Sequence, residues 1–349
     1  MIEIRKRIWL LRAVAAIVTI ASIYLFAPWR EALAYLKPLP ATVQAELDHV
    51  LDYGLDGIIV YVDRAGHEPE FYAAGWHDRE ARIPADPHAL FKIASISKLY
   101  IAAATAMLVA DGRLDLDDTV ADYFPDLVGQ LANADRITLR MLLQHRSGIP
   151  NWVEDPDRWA ITSGEVNDYL ALVFDDPAEF EPGTRYQYSN TNYLLIGNIL
   201  DQTLGHPHQQ FIRSAILDPL GLTNTFASMD DVDLTRIPGG YDPGWPEENF
   251  RSRVHIVPGG TMVATAEDTG IFLRALNDGS LFTDEEQAIY SSVYEYGHTG
   301  LLAGYSSIAR YHADIDAVVV QFVNTSGGNT WTATEVVYDR IVRILRREE

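Results

Sequence analysis

The sequence predicts an α+β fold in which both ends of the chain build one antiparallel sheet, flanked by helices, with a mainly helical lobe inserted between them. Three observations carry this reading. Residues 57–62 and 70–74 are rich in β-branched and aromatic side chains and are joined across Arg64-Ala65-Gly66-His67, a hairpin near the start. Three further strand candidates, 293–298, 306–312 and 317–324, lie near the end, the last two forming a hairpin across 313–316. Between the two groups, apolar residues recur at helical spacing instead of alternating.

Taken in order, a linker around Lys37 to Pro40 leads to a helix-like stretch at 42–51 and then to the first hairpin. Residues 95–111, rich in Ala and Leu, read as a helix ended by Gly112. A short helix at 139–145 is stopped by Ser147-Gly148, and 192–204 carries Leu194, Leu195, Ile199 and Leu200 before Gly205 closes it. Residues 209–217 repeat the pattern, 266–276 add another helix, and 332–345 form an amphipathic helix with Val336, Val337, Ile341, Ile344 and Leu345 on its apolar positions. The chain holds no internal repeat or low-complexity tract. Residues 1–40 read as a membrane anchor or signal segment with its linker, and 41–349 as one folded unit with two lobes.

With 48% hydrophobic and 22% charged residues in a chain of 349, a folded core is assured. Lys and Arg total 27 against 49 for Asp and Glu, and the formal charge of -22 repels phosphate backbones, which argues against a nucleic-acid partner. Cysteine is absent, which excludes disulfides, thiolate metal sites, a Cys nucleophile and a lipidated N-terminal cysteine. Arg5, Lys6, Arg7 and Arg12 precede an uncharged stretch at 13–29, the pattern of a segment that enters a membrane with its basic side cytoplasmic. The folded unit is therefore expected outside the cytoplasm, on the periplasmic side. Ala32-Leu33-Ala34 has the small-residue character of a cleavage site, which would release a secreted protein. The length of the apolar run and the charges of Arg30 and Glu31 favour an uncleaved anchor.

Ser95-Ile96-Ser97-Lys98 sets a hydroxyl and an amine one helical turn apart on the same face, at a helix N-terminus that favours a developing oxyanion. A capping serine followed by a surface lysine would give the same four letters. Lys98 is, however, one of only four lysines, with Lys6, Lys37 and Lys92, in a chain that otherwise uses arginine. Arginine cannot accept a proton, so a lysine kept here points to chemistry. Tyr188-Ser189-Asn190 precedes the helix at 192–204 and directs a phenol and an amide to one side of extended chain, although an N-cap asparagine beside a core tyrosine would read alike. Gly297-His298-Thr299-Gly300 is read as ending a strand, with glycines that let backbone approach a ligand. His206-Pro207-His208 lacks a carboxylate at ligand spacing, so no metal and no cofactor is expected. Glu267-Asp268 after Thr265 reads as part of a helix cap, and no G-x-S-x-G elbow or phosphate loop is present.

The ordered set Ser95-x-x-Lys98, Tyr188-x-Asn190 and His298-Thr299-Gly300 resembles the serine β-lactamase and penicillin-binding protein superfamily, in the branch of class C β-lactamases, DD-carboxypeptidases and related esterases. The stretches Phe91 to Ser95, Leu142 to Pro150 and Gly259 to Asp268 are similar to that branch too, and the resemblance runs from about residue 45 to the C-terminus. It implies a β-lactamase/transpeptidase-like fold and an acyl-enzyme on Ser95. Lys98 and Tyr188 would handle the proton, each needing its pKa moved from about 10. It further implies that Asn190, His298, Thr299 and Gly300 bind substrate and that the backbone N–H groups of Ser95 and Leu301 form the oxyanion hole. Many β-lactamases have lysine where His298 stands, so carboxylate recognition is expected to be less obligatory here. A D-Ala-D-Ala carboxypeptidase, a D-amino-acid peptidase or an esterase ranks above an efficient β-lactamase, acting on a small-molecule or peptide ester, amide or β-lactam. The segment between Leu276 and Tyr294 is short for the branch, which leaves one cleft wall undefined. The alternative from a different class is a membrane-anchored penicillin-binding or sensing module with little turnover.

Overall fold

The computed structural model describes residues 2–26, 29, 35–161, 166–230, 232–253 and 257–348. Its strands are β1 (Gly57–Arg64), β2 (Glu70–Asp78), β3 (Ile83–Pro84), β4 (Phe91–Lys92), β5 (Thr225–Phe226), β6 (Val263–Ala264), β7 (His298–Leu302), β8 (Tyr305–His312) and β9 (Ala317–Val323). The main helices are α1 (Ile2–Phe26), α2 (Val43–Leu47), α3 (Ser97–Ala110), α4 (Leu139–Leu143), α5 (Thr191–Leu204), α6 (Ala266–Asp278), α7 (Asp284–Val293) and α8 (Thr330–Leu345). Among the described residues, the two ends of the chain meet in a six-stranded sheet of order β3-β2-β1-β9-β8-β7. The pairings are antiparallel, and β1 lies directly against β9, Val60 opposite Gln321 and Val62 opposite Val319.

Strands β1 and β9 are buried on both faces, which is why they read as continuous apolar runs instead of an alternation. The period of two still sorts their side chains. Ile58, Val60 and Val62 join Val319, Val323 and the α8 residues Val337, Ile341 and Ile344 in one core, whereas Ile59 and Tyr61 join Val318, Val320 and Phe322 in the larger core with α3 and α6. The first core also holds an ion pair between α2 and α8. Arg340 donates from Nε and Nη2 to the two carboxylate oxygens of Glu46 at 2.7 and 2.8 Å.

Helix α6 approaches β1 through Gly270, where a methyl group would stand 2.2 Å from Cε1 of Tyr61. Gly270→Ala is therefore expected to destabilise the protein by about 1–3 kcal/mol through overpacking, despite alanine's higher helix propensity. A urea-unfolding midpoint equal to or above the parent's would refute the close packing.

The strand expected at 293–298 does not form. Residues 284–293 are α7, and β7 begins at His298, so the His298-Thr299-Gly300 run opens a strand instead of ending one. A capping box explains the change: Thr283 accepts from the Glu286 N–H at 3.3 Å and donates its own backbone N–H to the Glu286 carboxylate at 2.7 Å, with three acidic residues in the first turn. The helix occupies the short segment after Leu276 and packs against α3. The expected helix at 95–111 starts at Ser97, after a 3-10 turn at Ala94–Ile96, and 209–217 divides into an α-helix at His208–Ile212 and a π-helical turn at Arg213–Leu217. The stretch expected at 42–51 is α2 followed by a 3-10 turn at Val50–Tyr53. A second sheet, β4-β6-β5, has strands of two residues and no pattern that a sequence reading could detect.

Helix α1 contains the stretch Arg5–Leu25, long and apolar enough to cross a membrane and with no part of it buried in the protein. The Ala32-Leu33-Ala34 stretch lies outside the described residues.

Candidate active site

Strand β4 runs into the turn that carries Ser95. The turn is held by Ile93, whose N–H donates to the Met262 carbonyl at 3.1 Å and whose carbonyl accepts from the Ser307 hydroxyl at 3.3 Å. Ala94 takes φ of +51°, a left-handed conformation costly for a residue with a Cβ. This bend precedes the nucleophile candidate and is compatible with a functional strain held by its surroundings. Ser97 turns away and accepts from the Met262 N–H at 3.3 Å.

Ser95, Lys98, Tyr188 and Asn190, chosen from the sequence, come together. Lys98 Nζ lies 2.9 Å from Ser95 Oγ, 3.0 Å from Asn190 Oδ1 and 2.9 Å from the Gly259 carbonyl. The Tyr188 hydroxyl donates to Ser95 Oγ at 2.9 Å. Lys98 is only 1% exposed, and burial lowers its pKa to about 7. Burial likewise raises the Tyr188 phenol well above its usual value, an effect only partly offset by the bond to Ser95. Desolvation thus moves each of the two groups toward its neutral form.

Asn190 occupies the N-cap position of α5 but makes no side-chain cap bond. Its carbonyl is committed to Lys98, while its amide nitrogen donates to Asn151 Oδ1 at 3.3 Å. His145 stacks on Tyr188 with ring centroids 4.4 Å apart. Its Nδ1 accepts from the Ser189 N–H at 3.2 Å, so its proton sits on Nε2. Burial first, then the Lys98 charge, lowers its pKa to about 3. Nothing in the sequence alone assigns a role to Asn151, His145 or Gly259. His145 lies within the recognised stretch at 142–150, but nothing in its spacing relates it to Tyr188.

Edge strand β7 closes the other side of the site. Gly297 just before it and Gly300 within it are both required by chain packing. A Cβ on Gly300 would stand 2.4 Å from the Ile93 carbonyl and 3.0 Å from Ala94 Cβ, and one on Gly297 would stand 2.9 Å from the Ala309 carbonyl. Gly300 thereby lets β7 lie against the Ser95 turn, with Thr299 half-buried and Leu301 exposed beside it. The His298 ring is 6.2 Å from Tyr188, and its pKa falls to about 4 through burial and the Lys98 charge. Two further readings resolve locally. Thr265 caps α6, but the Asp268 carboxylate accepts from the Asn224 N–H and the Thr225 hydroxyl of the β5 segment. His208 lies against Asp201, Nδ1 to Oδ1 2.8 Å.

The Beta-lactamase family model matches residues 39–294. Protein flp of Staphylococcus aureus is 27% identical over 188 residues, covering 52% of this chain and 38% of that protein. Esterase EstB of Burkholderia gladioli is 30% identical over 225 residues, 59% of this chain and 57% of that protein. The matches thus span less than two thirds of either relative. The D-amino acid amidase of Ochrobactrum anthropi SV3, solved with D-phenylalanine, aligns over 88% of this chain and 98% of its own with a TM-score of 0.77 and 25% identity. A penicillin binding protein of Bacillus halodurans shares the fold, with a TM-score of 0.71 at 21% identity over 86% of this chain and 98% of its own.

Proposed function

The chain belongs to the Beta-lactamase family, and from that premise we propose that it is a serine acyl hydrolase that forms an acyl-enzyme on Ser95 and acts on amides or esters in the manner of a D-amino-acid peptidase or amidase, or of an esterase. One observation carries the reading: the three neighbours of Lys98 Nζ are oxygens, one of which is Ser95 Oγ. A neutral amine keeps two N–H bonds on Asn190 and Gly259 and turns its lone pair to the Ser95 hydroxyl. It is then a base already aimed at the nucleophile.

Ser95 Oγ attacks the substrate carbonyl carbon while its proton passes to Lys98. The carbonyl oxygen takes the negative charge, for which the backbone N–H groups of Ser95 and Leu301 are the proposed donors. Tyr188, held neutral, gives its phenolic proton to the leaving nitrogen or oxygen as the carbon–heteroatom bond breaks, and Lys98 returns the proton taken from Ser95 to the phenolate. Water, deprotonated by the same pair, hydrolyses the Ser95 ester and restores the hydroxyl. Asn190 fixes Lys98 through its carbonyl and offers its amide edge to substrate, and His298, Thr299 and Gly300 border the far end of the substrate. His145 positions Tyr188 by stacking.

Relatives named esterase and D-amino acid amidase support the ester and amide classes. A neutral His298 supports ranking them above substrates that require a cation for a free carboxylate. The proposed organisation is a membrane-associated segment through residue 40 and a hydrolase domain at 41–349, held on the extracytoplasmic side by α1, whose basic flank favours that orientation.

Intact-protein mass spectrometry after exposure of the full chain, in detergent, to a fluorophosphonate tests this reading. A single adduct mapped to Ser95 by peptide sequencing is expected. Absence of an adduct, or its appearance on another residue, would transfer the reading to a binding module without turnover.

A further inference from the structure

The surroundings of His298 contain an unmatched pair of acceptors. Nδ1 lies 2.5 Å from the Thr299 carbonyl and must carry the proton that makes this bond. Nε2 lies 3.5 Å from Glu295 Oε1. A neutral imidazole has one N–H, so its Nε2 lone pair faces a carboxylate with no proton between them. Protonating the ring would resolve the conflict, but burial and the nearby Lys98 charge oppose it.

Glu295 is well placed to receive a ligand. Its side chain is 63% exposed, and it leads from α7 into β7 at the rim of the site. The exposed ring of Tyr186 stands on the same rim, 6.0 Å from the His145 ring. Burial raises the pKa of the Glu295 carboxyl and Arg310 partly offsets it, but the Arg310 guanidinium packs 5.7 Å over the ring of Tyr338, a residue of α8. The net charge of -22 draws cations toward the protein as a whole.

We infer that Glu295 and His298 form a subsite for the ammonium group of an amino-acyl substrate, one N–H donating to the Glu295 carboxylate and another to the His298 lone pair. This rests on the hydrolase reading above and narrows its substrate class to amides or esters of amino acids with a free amino group. A substrate carboxylate in this position meets the Glu295 charge and is disfavoured. The chemistry demands two donors on one cationic centre, which a hydroxyl or a tertiary amide lacks.

Calorimetric titration of the full-length Ser95→Ala chain in detergent tests the subsite without turnover, using leucinamide and N-acetylleucinamide, each as both enantiomers. Leucinamide of at least one hand is expected to bind about tenfold more tightly than its acetylated form, the scale of one partly exposed charge-assisted contact. Glu295→Gln on the same background is expected to remove most of that preference, and Glu295→Lys to reverse it, so that the acetylated amide binds more tightly than leucinamide. Equal affinity for the two amides, no binding of leucinamide, or a preference unchanged by Glu295→Gln would overturn the inference. The comparison of the two amides needs no substitution at 295, so it stands even if those variants fold poorly. Fluorophosphonate labelling of the unmodified chain judges the hydrolase reading separately: a labelled Ser95 without the ammonium preference sinks only the subsite, and the reverse result sinks only the hydrolase.

Discussion

Alanine in place of Ser95 is expected to lower kcat/KM for an ester or amide about 10⁶-fold, the scale seen when a nucleophile of a serine hydrolase is removed. Lys98→Arg tests the proton acceptor beside it. Arginine keeps the positive charge and donors but has no lone pair to offer, and a loss of about 10²–10⁴-fold is expected from removing general base catalysis. The same assignment sets the pH profile. On the proposed mechanism Lys98 acts as the free amine, and burial brings its pKa down to about 7, so the reactive fraction grows as pH rises through that value. Log kcat/KM should climb with unit slope below about pH 7 and level above it. Tyr188 does not create an alkaline limb in this range, because burial moves its pKa upward and the phenol stays protonated. A profile flat between about pH 5.5 and 8.5, or Lys98→Arg with near-parent activity, would remove lysine from the mechanism.

Arg340→Met is expected to destabilise the fold by about 3–5 kcal/mol, the usual result of stranding one half of a buried ion pair. The pair is bidentate, with Arg340 and Glu46 side chains 2% and 1% exposed. Arg340 also donates from Nη1 to the Lys37 carbonyl at 2.8 Å and from Nη2 to the Pro38 carbonyl at 3.1 Å, so it ties the segment before α2 to the last helix. Tyr53 donates to the same carboxylate at 3.1 Å. Without the guanidinium, Glu46 keeps a phenol but loses its countercharge in an apolar core. Urea unfolding of Arg340→Met beside Arg340→Met/Glu46→Leu separates the causes. The double variant should recover much of the loss, since removing both charges removes the desolvation cost. A loss below about 1 kcal/mol in the single variant would mean that the pair behaves as a surface contact.

Much of this protein can be read from local spacing. Ser95 and Lys98 are one turn apart, and any helix that starts near Ser95 puts the amine beside the hydroxyl. The strand pairs at either end carry β-branched runs with turns between them, and the sheet made from both ends followed from their positions alone. The basic, apolar start of α1 likewise states its own case. Legibility ended where a signal was short or competing. Residues 284–293 hold a capping box and three acids, yet the Val and Tyr residues that follow drew the strand reading across Val293 to His298.

What only the tertiary structure decided is the state of the groups. Gly259 accepts from Lys98 across 161 residues and Asn190 across 92, and no local pattern announces either contact. The lowered pKa of Lys98 arises because the chain seals it from water, a property of burial and not of the Ser-x-x-Lys spacing. Ala94 takes its left-handed bend where Gly300 of β7 packs closely beside it, and Glu295 meets His298 in the short link between α7 and β7. The sequence by itself shows which side chains have the chemistry of a nucleophile, a base and an acid, and most of the elements that carry them. Folding determined their protonation and their partners, because desolvation and long-range packing exist only once distant segments are brought together.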